Sequence, residues 1–296
     1  MRPCRRSGPR LHEAAMSSAD QSSNVLAEFA ALLTGRNIGP GAGLMIVVAH
    51  PDDETIGIGG HLAGLPGCRI VHVTDGAPRD LADARSHSFQ TWQDYAHARR
   101  TELWAALAAA GLSSANLTSL DYPDTEAVMH LGALAQQLAC LFAAREIRFV
   151  CTHPFEGGHP DHDATAFAVH AACHLLHRDR HPAPSIIEMA FYAAGPEGPI
   201  FQDFVDSPEA DRIEVCLTGP AFRLKQAMLA SHKTQQRTLA PFFSSTERFR
   251  LAPAYDFRAL PNNGRLYYQS LPLGFEPATW LGVAAAAHEE LRLDRP

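Results

Sequence analysis

The sequence has little that would serve a nucleic acid or a membrane. Lysine and arginine number 25 against 32 aspartates and glutamates, for a formal net charge of −7, so there is no basic surplus to hold a polyanion by counterion release. No nucleic acid partner is expected. No run of residues approaches the roughly 18 to 20 apolar positions of a spanning helix, which argues against integral membrane association. The six cysteines (Cys4, Cys68, Cys140, Cys151, Cys173 and Cys216) form no C-x-x-C pair, and several lie in apolar runs where a thiol packs as a small hydrophobe. That usage points to a reducing, cytoplasmic setting. Neither a G-x-S-x-G elbow nor a G-x-x-x-x-G-K-[ST] loop occurs, which disfavours serine-hydrolase and phosphate-loop chemistry. The glycines at 39–43 precede an apolar run, whereas a dinucleotide fingerprint follows one. No internal repeat or low-complexity segment is evident.

What is there is an ordinary core-forming composition. With 296 residues, 46% of them hydrophobic, one large domain is expected rather than two. Residues 1–40 read as a partly disordered N-terminal extension: Arg2, Arg5, Arg6 and Arg10 lack the apolar core a secretion signal needs, and Met16 is an alternative start. The first amphipathic stretch is 25–33. Short apolar runs at 41–49, 69–74, 146–152 and 185–192 read as strands, buried and parallel. Between them Trp92, Ala96, Arg99, Leu103 and Leu107 recur at helical spacing, as do Leu131, Leu134, Leu138 and Leu141. Alternating strands and helices predict a layered α/β core over 41–195 with a mostly parallel central sheet. Beyond it, residues 196–296 read as a C-terminal α+β extension or lid packed on that core, with a strand at 212–217 and a helix at 220–232. The aromatic residues of this tail, Phe242, Phe243, Phe249, Tyr255, Phe257, Tyr267 and Tyr268, are expected to fill its own small core rather than to line a sugar-stacking wall.

In sheets of this kind ligands bind beyond the carboxyl ends of the strands, and two strand ends are rich in histidine and aspartate. The first runs into His50-Pro51-Asp52-Asp53-Glu54; the run at 146–152 continues into His153-Pro154 and then His159-Pro160-Asp161-His162-Asp163. A catalytic zinc takes three nitrogen or oxygen ligands and leaves one position open. In a turn, His50 and Asp53 at i and i+3 can converge on one point, leaving Asp52 as a candidate general base. His162, near the start of a helix, can supply the third ligand. His159 is placed to assist at an oxyanion or a leaving amine, and Asp161 to accept a histidine hydrogen bond and fix its tautomer. Either cluster alone could be a helix-capping turn, but two of them at two strand ends are hard to explain that way. His170, His174 and His177 lack the glutamate of an H-E-x-x-H site and read as a helix face.

A-H-P-D-D-E after the first strand together with G-H-P-D-H resembles the LmbE-like (PIG-L) superfamily of zinc-dependent N-deacetylases, over about residues 44–232. The resemblance implies a Rossmann-like three-layer fold without a dinucleotide. It implies Zn²⁺ on His50, Asp53 and His162, with Asp52 as general base and His159 assisting at the oxyanion. Arg99-Arg-Thr-Glu102 and Leu120-Asp-Tyr-Pro-Asp124 resemble the family's R-x-x-E helix and its segment ending in an active-site aspartate, so Arg99 and Asp124 are expected to hold substrate hydroxyls. Ser231-His232-Lys-Thr-Gln235 resembles a late helix of the family and marks the fold only. Some sugar deacetylases of the family carry a tyrosine two residues before the first histidine of H-P-D-H, where this chain has Gly157. The loop at 74–79 also lacks a glutamate those enzymes often show.

The function expected is removal of an N-acetyl or small N-acyl group from an amino-sugar-containing small molecule. Two alternatives stand beside it: a metal-dependent amidase acting on a non-sugar amide such as a thiol conjugate, and a non-catalytic binding module of the same fold. A homo-oligomer is compatible with the sequence.

Overall fold

Apolar runs that are hydrophobic at every position, not at every second one, suit strands covered on both faces, and these runs build the centre of the molecule. The structure, a computed structural model, describes residues 18–34, 43–205 and 212–293. In chain order its elements are α1 (Ser18–Leu33), β1 (Leu44–Val48), α2 (Asp53–Ile58), β2 (Arg69–Pro78), α3 (Ala82–Ser86), α4 (Trp92–Ala109), β3 (Leu117–Asp124), α5 (Leu131–Arg145), β4 (Phe149–Thr152), α6 (Pro160–Arg178), β5 (Ser185–Met189), β6 (Tyr192–Ala194), β7 (Pro199–Phe201), β8 (Arg212–Cys216), α7 (Gly219–Ser231), α8 (Gln236–Leu239), β9 (Thr246–Leu251) and α9 (Pro277–Leu291).

The main sheet runs β3-β2-β1-β4-β5-β9-β8, and β6 and β7 form a separate hairpin. The first five strands are parallel; β9 and β8 continue the sheet antiparallel. Successive side chains point to opposite faces. Met45 and Val47 of β1 accordingly join the core formed with α5, α6 and α9, while Leu44, Ile46 and Val48 join the one formed with α1, α4 and α7. This is the expected α/β fold with helices on both faces of a mostly parallel sheet.

Several boundaries differ from the sequence reading. Residues 196–296 do not stand apart as a subdomain, because β9 and β8 extend the same sheet and the fully buried Trp280 of α9 packs into the α5/α6 core. The stretch 25–33 lies in α1, and Phe29 is fully buried with its ring 5.7 Å from Phe149 and 5.4 Å from Phe249. Arg2, Arg5, Arg6, Arg10 and Met16 lie outside the described residues, as does Cys4. The other five cysteines are unpaired. One segment, Ala127–Arg145, is helical, 19 residues long and of mean hydropathy 1.5, which by length and composition alone would cross a membrane. Its buried residues Leu131, Leu134, Leu138 and Phe142 pack into the α5/α6/α9 core, and a core helix passes the same test of length and composition.

Candidate active site

Strand order reverses at β1: the chain proceeds outward to β2 and β3, then returns to lay β4 on the other side. Such a reversal opens a crevice at the carboxyl ends of the two central strands. β1 delivers His50 there, and β4 delivers His153 and the loop leading to α6. That loop ends in a helix cap: His159 is the N-cap, its Nδ1 accepts the Asp161 N–H at 3.2 Å, and Pro160 occupies the first turn. Capping thus places His159, Asp161 and His162 together at the crevice.

His50, Asp53 and His162 each offer a donor atom within 4.8 Å of the others, and all three are buried. His50 Nδ1 lies 3.3 Å from Asp53 Oδ2, and His162 Nε2 lies 3.4 Å from Asp53 Oδ1. Two donors each about 2.0 Å from one tetrahedral centre lie about 3.3 Å apart, so these spacings fit ligands sharing a cation. His162 Nε2 is buried without a hydrogen-bond partner, which is costly unless something else engages it. The Asp53 Oδ2 atom also accepts the His50 backbone N–H at 2.7 Å. Burial works to raise the Asp53 carboxyl, but His162 and His153 beside it hold it well below its ordinary range. Asp53 is therefore an anion ready to coordinate. A second trio, His50, His159 and Asp161, overlaps the first through His50.

Asp52 is not one of this trio but lines the same cavity. Its Oδ2 accepts from Arg99 Nη2 at 2.9 Å, and burial raises its carboxyl above the usual range against the pull of that guanidinium. Its backbone sits at φ 150°, a conformation that side-chain-bearing residues rarely adopt. Two neighbours hold it there. Glu54, fully buried, accepts the Asp52 N–H at 3.2 Å and meets His72 Nε2 at 2.9 Å, while Arg99 Nη2 also reaches the Pro51 carbonyl at 3.2 Å. Arg99 was expected to hold substrate hydroxyls. Its guanidinium lines the cavity and donates to Asp52, the Pro51 carbonyl and the Gly76 carbonyl.

Asp124, at the end of β3, faces His50 Nε2 at 3.3 Å and Arg99 Nη1 at 3.7 Å. Against burial, the neighbouring His50 holds its carboxyl well below the ordinary range. Asp161 Oδ2 lies 3.4 Å from His50 Nε2 and accepts the Thr125 N–H at 2.6 Å, and its Oδ1 accepts the Ala127 N–H at 3.1 Å. One carboxylate therefore ties the β3 loop to the base of α6 and faces His50. His153, which spacing did not single out, stacks on His162 with ring centroids 3.8 Å apart and accepts the Ala49 N–H at 2.9 Å. Burial and His162 push its pKa down against the pull of Asp53.

The R-x-x-E turn of α4 divides its labour. Arg99 faces the crevice, while Glu102 accepts from the Thr234 N–H at 3.0 Å and the Thr234 hydroxyl at 2.7 Å. That tether fixes the turn after α7, whose Gln235 donates to the Tyr95 hydroxyl at 2.7 Å and lines the crevice. The crevice itself is a cavity of about 290 Å³ reaching His50, Asp52, Asp53, Asp124, His159 and His162. Gly157 has φ +72°, and a Cβ there would meet Leu266 at 2.8 Å, so no tyrosine fits at that position without a shift. Tyr192 of β6 approaches instead, its ring centroid 5.2 Å from that of His162. The local sequence around Tyr192 carries no signal of that placement.

Residues 45–173 match the model of the family described as GlcNAc-PI de-N-acetylase, PIG-L. No curated protein is similar at a significant level. Among solved structures, the A40926 pseudoaglycone deacetylase Dbv21 matches with a TM-score of 0.53 and 19% identity, covering 73% of this chain and 99% of its own. The N,N'-diacetylchitobiose deacetylase of Pyrococcus horikoshii matches with a TM-score of 0.52 and 20% identity over 81% of this chain and 95% of its own. The zinc-inhibited form of the teicoplanin deacetylase Orf2 gives 0.51 and 16% over 70% and 96%. At these identities the likeness establishes a shared fold.

Proposed function

Residues 45–173 are a PIG-L (LmbE-like) family domain, and from that premise we propose that this protein is a metal-dependent hydrolase that removes an acetyl or small acyl group from the nitrogen of a sugar-containing small molecule. The observation that carries the reading is the convergence of His50, Asp53 and His162 within 4.8 Å, with Asp52 lining the same cavity and held through Oδ2 by Arg99. The three structures of similar fold described above support the chemistry, since each is named a deacetylase and one is named as zinc-inhibited.

His50, Asp53 and His162 would hold the ion, and their nitrogen and oxygen donors suit Zn²⁺. Bound there, a zinc ion would polarise the amide carbonyl and acidify water. The chain's own groups supply the proton traffic. Arg99 occupies Oδ2 of Asp52, which leaves Oδ1 to take a proton from the attacking water. Because His159 Nδ1 accepts a backbone N–H, the neutral ring must carry its hydrogen on Nε2. Burial, with His50 and His162 beside it, lowers the His159 pKa well below the ordinary value and keeps it in that neutral form. His159 therefore presents a donor to a developing oxyanion. Hydrolysis then breaks the C–N bond, with the proton taken up at Asp52 passing to the leaving amine.

The test is acetate release from a panel of N-acetylated sugars and N-acetylated thiol conjugates, with wild type and Asp52→Asn. Loss of a general base is expected to lower kcat by about 10² to 10⁴. Hydrolysis of thiol conjugates alone would move the substrate away from sugars, and an Asp52→Asn enzyme as active as wild type would overturn the assignment of the base.

A further inference from the structure

Beside the catalytic cavity lies a second chamber of about 330 Å³. The two share Tyr192, Thr238, Phe242 and Leu271, so they lie on either side of the same residues. Four rings line the chamber. Tyr192 lies 5.3 Å from Tyr267, 5.7 Å from Phe242 and 6.4 Å from Phe201, and Phe201 lies 5.5 Å from Phe242. Because the Tyr192 ring is also 5.2 Å from that of His162, the chamber begins one ring's width from a candidate metal ligand. All of its lining residues lie between 192 and 271, outside the family domain at 45–173.

We infer that the substrate carries an apolar group, ring-sized or longer, close to the scissile amide, and that this chamber holds it. The inference rests on the amide-hydrolase reading and names the class of substrate. An acetyl methyl is close in size to one water molecule, about 30 Å³, and would leave a chamber of 330 Å³ nearly unfilled. Walls made of four ring faces match apolar surface and provide few partners for a second sugar, each of whose buried hydroxyls needs a hydrogen bond. Arg237 stands exposed in the lining and makes no ion pair among the described residues. Its charge rejects a cationic end on that group and tolerates an acidic one.

The apolar group can belong to the acyl chain or to the part of the substrate attached to the sugar, and substrate series separate the two. Wild type is assayed on glucosamine bearing N-acyl chains from acetyl to octanoyl, and on methyl, hexyl and phenyl glycosides of N-acetylglucosamine, with N,N'-diacetylchitobiose for comparison. In one series kcat/KM should rise by about tenfold or more as apolar surface is added. Phe201→Ala and Tyr267→Ala should each reduce that long-to-short ratio. Flat series, a ratio unchanged in both variants, or chitobiose matching the best apolar substrate would overturn the inference. Binding of the hexyl and octanoyl compounds to Asp52→Asn, measured by calorimetry, keeps the two claims apart. Tight binding without turnover by wild type would count against the hydrolase reading while supporting the chamber. Binding no tighter than that of the methyl glycoside would count against the chamber.

Discussion

At the scale of single residues, the candidate site combines local geometry with partners drawn from far along the chain. The spacing of His50, Asp52 and Asp53 is local, and a turn held by the Asp53 N–H to His50 carbonyl bond at 3.2 Å brings all three to the cavity. His159 is local too, because Pro160 and a capping bond fix it at the start of α6. His159→Ala should lower kcat by about 10² to 10³ while zinc content stays at the wild-type level, since the account gives His159 an oxyanion role and no share in the metal. Rate and metal measured on the same preparation check this. The pattern in the sequence carried these residues because each acts within a few positions of a strand end. It carried less about the residues that hold them. Glu54 and His72 meet only when β1 and β2 lie side by side, and Tyr192 reaches His162 from a hairpin after β5. Arg99 and Asp124, expected to hold substrate, both line the cavity and also contact Asp52 and His50. An arginine on an amphipathic helix gives no local sign of which carboxylate it will meet.

At the scale of elements, the strands that were legible are those buried on both faces. β1, β4 and β5 are apolar along most of their length, and β2 opens on the apolar Ile70, Val71 and Val73 and is buried at all but its two end positions. β3 was not read as a strand: it is the half-exposed edge of the sheet, Leu-Thr-Ser-Leu-Asp-Tyr-Pro-Asp, with Asp121 at φ +55° and Pro123 near its end. β9, Thr-Glu-Arg-Phe-Arg-Leu, was missed because its buried charges make sense only with their partners. Glu247 meets the fully buried Lys225 at 2.9 Å, and Arg250 meets Glu188 at 2.7 Å. Removing one partner of such a pair leaves the other stranded. The joint between α4 and the turn after α7 rests on Glu102 and Thr234. Glu102→Ala should cost about 1 kcal/mol of stability, because the half-buried Thr234 loses a charge-assisted acceptor, and denaturant unfolding measures it. Phe242 is a buried core residue as expected and also lines the aromatic chamber with Tyr267, whereas Tyr255 and Phe257 pack beside Phe155 in the main core and not in a core of the tail's own.

At the scale of the whole molecule, acid should loosen the fold through buried neutral histidine. His232 is 1% exposed, and burial lowers its pKa to about 4. The unfolded chain, with an ordinary value near 6.5, therefore takes up a proton first, so stability falls as pH drops from about 6.5 towards 4, by on the order of 3 kcal/mol in total. Chemical denaturation across that range should show a shallower loss in His232→Phe than in wild type. An unchanged slope would place the acid sensitivity elsewhere.

The central claim concerns the metal, and the most direct measurement is zinc per chain, by elemental analysis, in wild type and in His162→Ala, alongside acetate release from the same samples. The account predicts about one zinc per wild-type chain, and loss of both zinc and activity in the variant. A wild type that hydrolyses its substrate without a metal, or a His162→Ala enzyme that keeps both, would contradict it.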